Sequence, residues 1–172
     1  MPGAHPAEGY AYDILEERII AGRWIQLAAE RYFRFRDEGR EFDVDAASDA
    51  IEFFSFLKHS KGIWAGKTFE LEPWEQFLVW NIFGWKNDQG LRLVRTSYNE
   101  LARKNGKSTL AAGIGLKLLV ADKEPGAEVY CAATKRDQAK IVWGEARRMV
   151  LASPDLRSIV SVYRGNLNVE GT

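Results

Sequence analysis

What most limits the fold of this chain is a change of rhythm near residue 90. Beyond it, two short runs rich in β-branched and aromatic residues, LRLVRTSY (91–98) and AEVYCAAT (127–134), alternate with two runs of helical period. In the first of these, GKSTLAAGIGLKLLVAD, Leu110, Ile114 and Leu118 recur every four residues; in the second, KRDQAKIVWGEARRMVLAS, Ala139, Val142, Trp143, Ala146 and Val150 align. Strand, helix, strand, helix predicts a parallel sheet with flanking helices. The closing SIVSVYRGNLNVEGT predicts one or two further strands around Gly165 and Asn166. Before residue 90 the pattern is helical throughout. A loose start, MPGAHPAEGY, is followed by YAYDILEERIIAGRWIQLAAERYFRFRDEG, which reads as one helix bent at Gly22, with Leu15, Ile19, Ile25, Ala29, Tyr32 and Phe33 in rhythm. DVDAASDAIEFFSFLKHS sets Ile51, Phe54 and Leu57 on one face of a second helix. EPWEQFLVWNIFGW makes a third, with Pro73 at its first position and Gly84 at its end.

Within the alternation lies SYNELARKNGKSTLAAGIGLKLL (97–119). Phosphates concentrate negative charge, so a loop that points several backbone N–H groups inward at the head of a helix can hold them before any side chain contributes. The full phosphate-loop pattern is Gly, four residues, then Gly-Lys-Ser/Thr; Gly106, Lys107 and Ser108 supply its second half, while Leu101 stands where the first glycine belongs. The triplet follows a predicted strand, opens a predicted helix and precedes another strand, which is the setting the chemistry requires. Its plain alternative is a surface turn with Ser108 or Thr109 capping a helix. On the phosphate reading, the backbone from Lys104 through Asn105 and Gly106 to Ser108 forms the cradle. Lys107 neutralises β- and γ-phosphate oxygens of ATP, Ser108 offers its hydroxyl to Mg2+, and Thr109 reaches the α-phosphate. Arg103 adds a guanidinium that binds phosphate or stabilises charge developing on the γ-phosphoryl group, its alternative being a solvated loop arginine. The expected fold class is α/β: a P-loop NTPase-like partial parallel sheet with flanking helices over 89–172, preceded by a helical N-terminal region over 1–88.

Composition narrows the other possibilities. The 24 basic and 24 acidic side chains cancel, so no global charge announces a nucleic-acid or membrane surface. Cys131 is the sole cysteine, which excludes an internal disulfide and a cysteine-rich zinc site; in its predicted strand it reads as buried packing. No run approaches the roughly 18 apolar residues of a membrane helix, and a cytoplasmic protein is expected. RYFRFRDEGREFD, with Arg31, Arg34, Arg36 and Arg40, reads as the wet face of a helix rather than a DNA contact. Thr134 reads as a helix cap, with Lys135 and Arg136 beside a binding loop as the alternative. His59 in KHSKG reads as an exposed helix end without chemistry.

ARKNGKST, then GAEVYCAATKRDQAKIVWGEARRMV, with FELEPWEQFLVWNIFGWK and AGRWIQLAAERY upstream, resembles the large subunit of tailed-bacteriophage terminases over nearly the whole chain. That family's phosphate loop often replaces its first glycine and carries an early basic residue, as Leu101 with Arg103 does here. The resemblance implies an ATP-driven motor in the host cytoplasm that works with a small subunit and a portal protein, as a homo-oligomeric ring, to move double-stranded DNA into a prohead. It also implies that a Trp-Gln pair upstream meets adenine. Here the order is Trp74, Glu75, Gln76, so the amide falls one residue late, and of the two polar neighbours only one can face a pocket. Gln76 both donates and accepts, as an adenine edge demands; ionised Glu75 only accepts.

Hydrolysis also needs an acid to help hold the metal and a group to orient water. Asp122 and Glu124 fall at the far end of the helix that the loop opens, and no apolar run leading into two acids follows residue 160. The resemblance thus implies a terminase ATPase segment truncated before its acidic motif and nuclease. Two readings follow: the ATP-binding part of a packaging motor, or a noncatalytic fragment that binds nucleotide or a partner without turnover.

Overall fold

A computed structural model describes residues 5–122 and 124–169. The first residues of the loose start, Lys123 and the last three residues lie outside the described set. The chain forms two compact units with interleaved segments, the first from residues up to 51 together with 71–99, the second from 52–70 together with the residues from 100 onward.

The first unit is helical. α1 (Pro6–Leu15) starts at a proline, and the Nδ1 of His5 accepts the Ala7 N–H at 3.2 Å. Ala7, Ala11 and Ile14 form its buried stripe. The single bent helix expected from residue 10 to 39 is instead two. After α1 the chain turns through Glu17, whose φ of 56° is left-handed, and α2 (Arg23–Asp37) restarts from Gly22 as its cap. The break lets both helices face one core. α3 (Val44–Phe53) leads from the first unit's segment toward the second's. α4 (Pro73–Gly84) carries a capping box in which Glu72 and Glu75 exchange side chain and backbone, and it is buried nearly all round. At Gly84 a Cβ would lie 2.1 Å from the Phe42 ring, so no larger residue fits there.

Aromatic rings fill this core. Tyr32 meets Phe42, Phe77 and Trp85 edge-on, and His5 stacks on Trp80 with centroids 4.2 Å apart. The fully buried Tyr32 hydroxyl accepts the Trp80 indole N–H at 3.0 Å and donates to Glu8, which also pairs with Arg36 at 2.9 Å. Burial and the Glu8 hydrogen bond push the Tyr32 phenol up to about 12. Arg34 and Arg40 pair with Glu38, and Arg31 is exposed, so this arginine-rich face is the wet side of α2.

In the second unit α5 (Lys107–Val120) packs against α6 (Arg136–Ala152), followed by the short α7 (Pro154–Ile159), whose cap is Ser153. β1 (Val160–Val162) and β2 (Leu167–Val169) then pair antiparallel, Val160 opposite Val169, across the turn at Gly165 and Asn166. The buried residues of α5 are Leu110, Ala112, Gly113, Leu116 and Lys117 rather than Leu110, Ile114 and Leu118. Gly113 sets this pattern: the Phe54 ring and Leu57 occupy the space over its missing Cβ.

The predicted parallel sheet does not form among the described residues. A turn at Asn87–Gly90, with Gly90 at φ 71°, folds Arg92 back onto Lys86 in an isolated antiparallel bridge, and no other residue of 91–98 is in a strand or bridge. Residues 127–134 carry no ladder, and Tyr130 is 81% exposed. Cys131 is accordingly exposed rather than buried packing; partial burial pushes its thiol up, away from thiolate chemistry. Among the described residues no helix is long and apolar enough to cross a membrane.

Candidate phosphate-binding loop

Residues 101–106 form an irregular, largely exposed turn that leads directly into α5. Two positions in it are left-handed, Lys104 at φ 70° and Gly106 at φ 69°, with Asn105 between them outside that region. Gly106 pays no steric penalty for this; Lys104, a β-carbon residue in the same region, is the strained one. In general, successive residues of opposite handedness can turn their N–H groups toward one side, as in an anion-binding nest.

Gly106 caps α5 without a side-chain hydrogen bond, and no acidic residue occupies the first turn. The amides of Thr109 and Leu110 bond the Gly106 carbonyl at 2.8 and 2.9 Å. Among the described residues the N–H groups of Asn105, Gly106, Lys107 and Ser108 meet no acceptor. They stand at the positive end of a helix dipole, where an anion is favoured. The Lys107 ammonium folds back over the turn to the Leu101 carbonyl at 3.2 Å, joining the first residue of α5 to the first residue of the loop. Ser108 and Thr109 are half-buried with hydroxyls that cap nothing, so the plain helix-cap alternative is not what the chain adopts. Arg103 is exposed on the loop beside Lys104.

Asp122 and Glu124 lie beyond the other end of α5. Fourteen residues of helix separate them from the loop, about 21 Å at 1.5 Å per residue. Among the described residues no cluster of three or more His, Cys, Asp or Glu could hold a metal ion. Thr134 does not cap α6; Lys135 does, and the Thr134 hydroxyl bonds the Gln138 side chain at 3.0 Å.

Trp74 and Gln76 belong to α4 in the other unit, both half-buried. Glu75 is 4% exposed, and its carboxylate accepts the Glu72 N–H at 2.9 Å. Burial pushes its carboxyl above the usual range, against that hydrogen bond. Its side chain is therefore committed to starting α4. The Gln76 amide donates to the Leu71 carbonyl at 2.8 Å and leaves its oxygen free to accept.

The described residues form a mixed helix and strand chain whose Gly-Lys-Ser turn heads a long helix, and comparison with known proteins places it. Residues 73–165 match the family described as terminase large subunit, ATPase domain, and the chain belongs to that family. It is similar to the terminase large subunit of Enterobacteria phage HK97, 33% identical over 113 residues that make up 65% of this chain and 21% of that protein. The crystal structure of the HK97 bacteriophage large terminase matches with a TM-score of 0.55 at 27% identity, over 72% of this chain and 25% of that one. The chain thus spans about a quarter or less of the length of these relatives.

Proposed function

We propose that this chain is the ATP-binding part of a bacteriophage DNA-packaging motor, with the turn Arg103–Ser108 holding the triphosphate. The observation that carries the reading is the Lys107 ammonium folded over a loop whose amides, from Asn105 to Ser108, meet no acceptor among the described residues. An anion supplies what those groups lack, and the ammonium lies where it can move from a carbonyl to a phosphate oxygen. Thr109 reaches the α-phosphate and Arg103 meets the outer phosphates.

The donor set suits phosphate better than a bare metal. Mg2+ would be held by Ser108, phosphate oxygens and water, and would neutralise charge on the γ-phosphoryl group. By analogy with its family the motor acts on double-stranded DNA with a small subunit and a portal, as a ring in the host cytoplasm, through the core from residue 89 onward. A second reading, nucleotide binding without turnover, is favoured by one observation: Asp122 and Glu124 stand a full helix length from the loop.

Equilibrium titration of ATP with Mg2+, followed by phosphate release from the same samples, separates these. Binding that weakens at least tenfold in Lys107→Ala supports the site, and phosphate release then selects the motor over the noncatalytic reading. ATP binding unchanged by the substitution sinks the proposal.

A further inference from the structure

Between Leu57 and Phe69 the chain makes an excursion that a helix-end reading of His59 misses. Lys58 bridges Thr68 antiparallel, with the lysine Nζ donating to the Thr68 hydroxyl at 2.8 Å. His59 N–H bonds the Lys67 carbonyl, and Gly66 N–H bonds the His59 carbonyl. Gly62 and Gly66, at φ 70° and 82°, make the bends that no β-carbon residue would tolerate as well. The feet are fixed: Leu57 and Phe69 are buried beside Phe54, and the His59 ring packs edge-on against Phe69, 4.9 Å between centroids. Ser60 ties one foot to α6, donating to Glu145 while accepting from Arg148. The tip is the opposite. Residues 61–67 are all exposed, with Ile63 at 85% and Trp64 at 54%.

Large apolar side chains are not left at the tip of a braced loop by core packing. Charge says what they suit: residues 53–69 contain Lys58, Lys61 and Lys67 and no Asp or Glu. Lys67 Nζ sits 4.7 Å from the centre of the Trp64 indole, and Lys61 makes only a 3.9 Å pair with Glu145 while remaining 68% exposed. An indole and an aliphatic flanked by ammonium groups match a polyanion with apolar faces between its charges, which is the surface of nucleic acid.

We infer that the Lys58–Thr68 loop is a contact for duplex DNA, with Lys61 and Lys67 on phosphates and Ile63 and Trp64 wedged against the groove edge. The choice of DNA rests on the packaging reading; the contact requires no nucleotide. Because both feet are pinned, little ordering opposes binding.

The test is fluorescence anisotropy of a labelled 30-base-pair duplex, and of one of its single strands, titrated with the full chain without nucleotide across a salt series. Duplex binding is expected to be tighter than single-strand binding. Lys61→Gln with Lys67→Gln should lower the slope of log affinity against log salt by about 1.8, or about 0.9 per lost phosphate contact. Trp64→Ala should weaken duplex binding at least about fivefold with the slope unchanged. ATP titration of the tip variants, run in parallel, should match the parent, so failure of the phosphate site and failure of the DNA contact read out separately. The inference is overturned if the parent binds no duplex at low salt, if the tip variants superimpose on the parent, or if single strand is preferred. It is equally overturned if the tip variants change sedimentation of the protein alone, which would mark the loop as a protein interface.

Discussion

Two glycines on α5 make opposite predictions from the same substitution. Alanine in place of glycine inside a helix is worth about 1 kcal/mol through backbone propensity alone. At Gly115 a Cβ would meet only Val129 Cγ1 at 3.6 Å, an ordinary contact, so Gly115→Ala should stabilise the second unit by about 1 kcal/mol. At Gly113 the same atom would lie 2.4 Å from Phe54 Cε1 and 3.1 Å from Leu57 Cδ1. Phe54 is 1% exposed and Leu57 fully buried, so neither can swing into solvent. Overpacking of that depth costs about 2–3 kcal/mol, which exceeds the propensity gain and leaves Gly113→Ala destabilised by about 1–2 kcal/mol. The gap between the two variants is then about 2–3 kcal/mol. Urea unfolding followed by far-ultraviolet circular dichroism measures it, with hydrogen exchange of α5 amides reporting the unit itself. If both variants shift in the same direction, the seating of Phe54 over Gly113 is wrong, and with it the orientation of the helix that carries the loop.

Other expectations concern the two polar networks. Tyr32→Phe strips the Trp80 indole of its acceptor and Glu8 of one of its two donors, and should destabilise the first unit by about 2 kcal/mol in the same unfolding assay. Burial pushes the Glu145 carboxyl up, but the Ser60 hydroxyl and Arg148 outweigh it and hold the carboxyl below its ordinary 4.5. Its stabilisation is therefore full above about pH 4.5 and is lost as pH falls through the lower folded-state value. Glu145→Gln should flatten the acid limb of the second unit's stability profile; an unchanged limb would show that Glu145 is not held in this way.

The helices were legible where their boundaries carry chemical marks. Pro73 and the Glu72/Glu75 box announce α4, and Gly106-Lys107-Ser108 announces α5. The break between α1 and α2 was legible only as a bend at Gly22, because the left-handed residue that follows α1 is Glu17, which carries no such mark. The buried face of α5 was misread for a related reason. Periodicity counts side chains, and Gly113, which has none, is what admits Phe54. The parallel sheet failed because strand-forming composition in 91–98 and 127–134 states a preference for extended chain without naming a partner, and none of the described strands pairs with either. In the candidate site, the residue types were readable, as was the need to choose between Glu75 and Gln76. The capping bond that occupies Glu75 needed coordinates. The Lys58–Thr68 loop did carry a signal, two glycines and three lysines without an acid, which a helical reading of KHSKG passed over.

Nuclear magnetic resonance of the uniformly nitrogen-labelled chain, titrated with ATP and Mg2+, reaches the central claim most directly. Saturable shifts concentrated on the amides of Asn105, Gly106, Lys107 and Ser108, and lost in Lys107→Ala, are the predicted result. Saturation that moves other amides and leaves those four unchanged would place the nucleotide elsewhere and contradict the account.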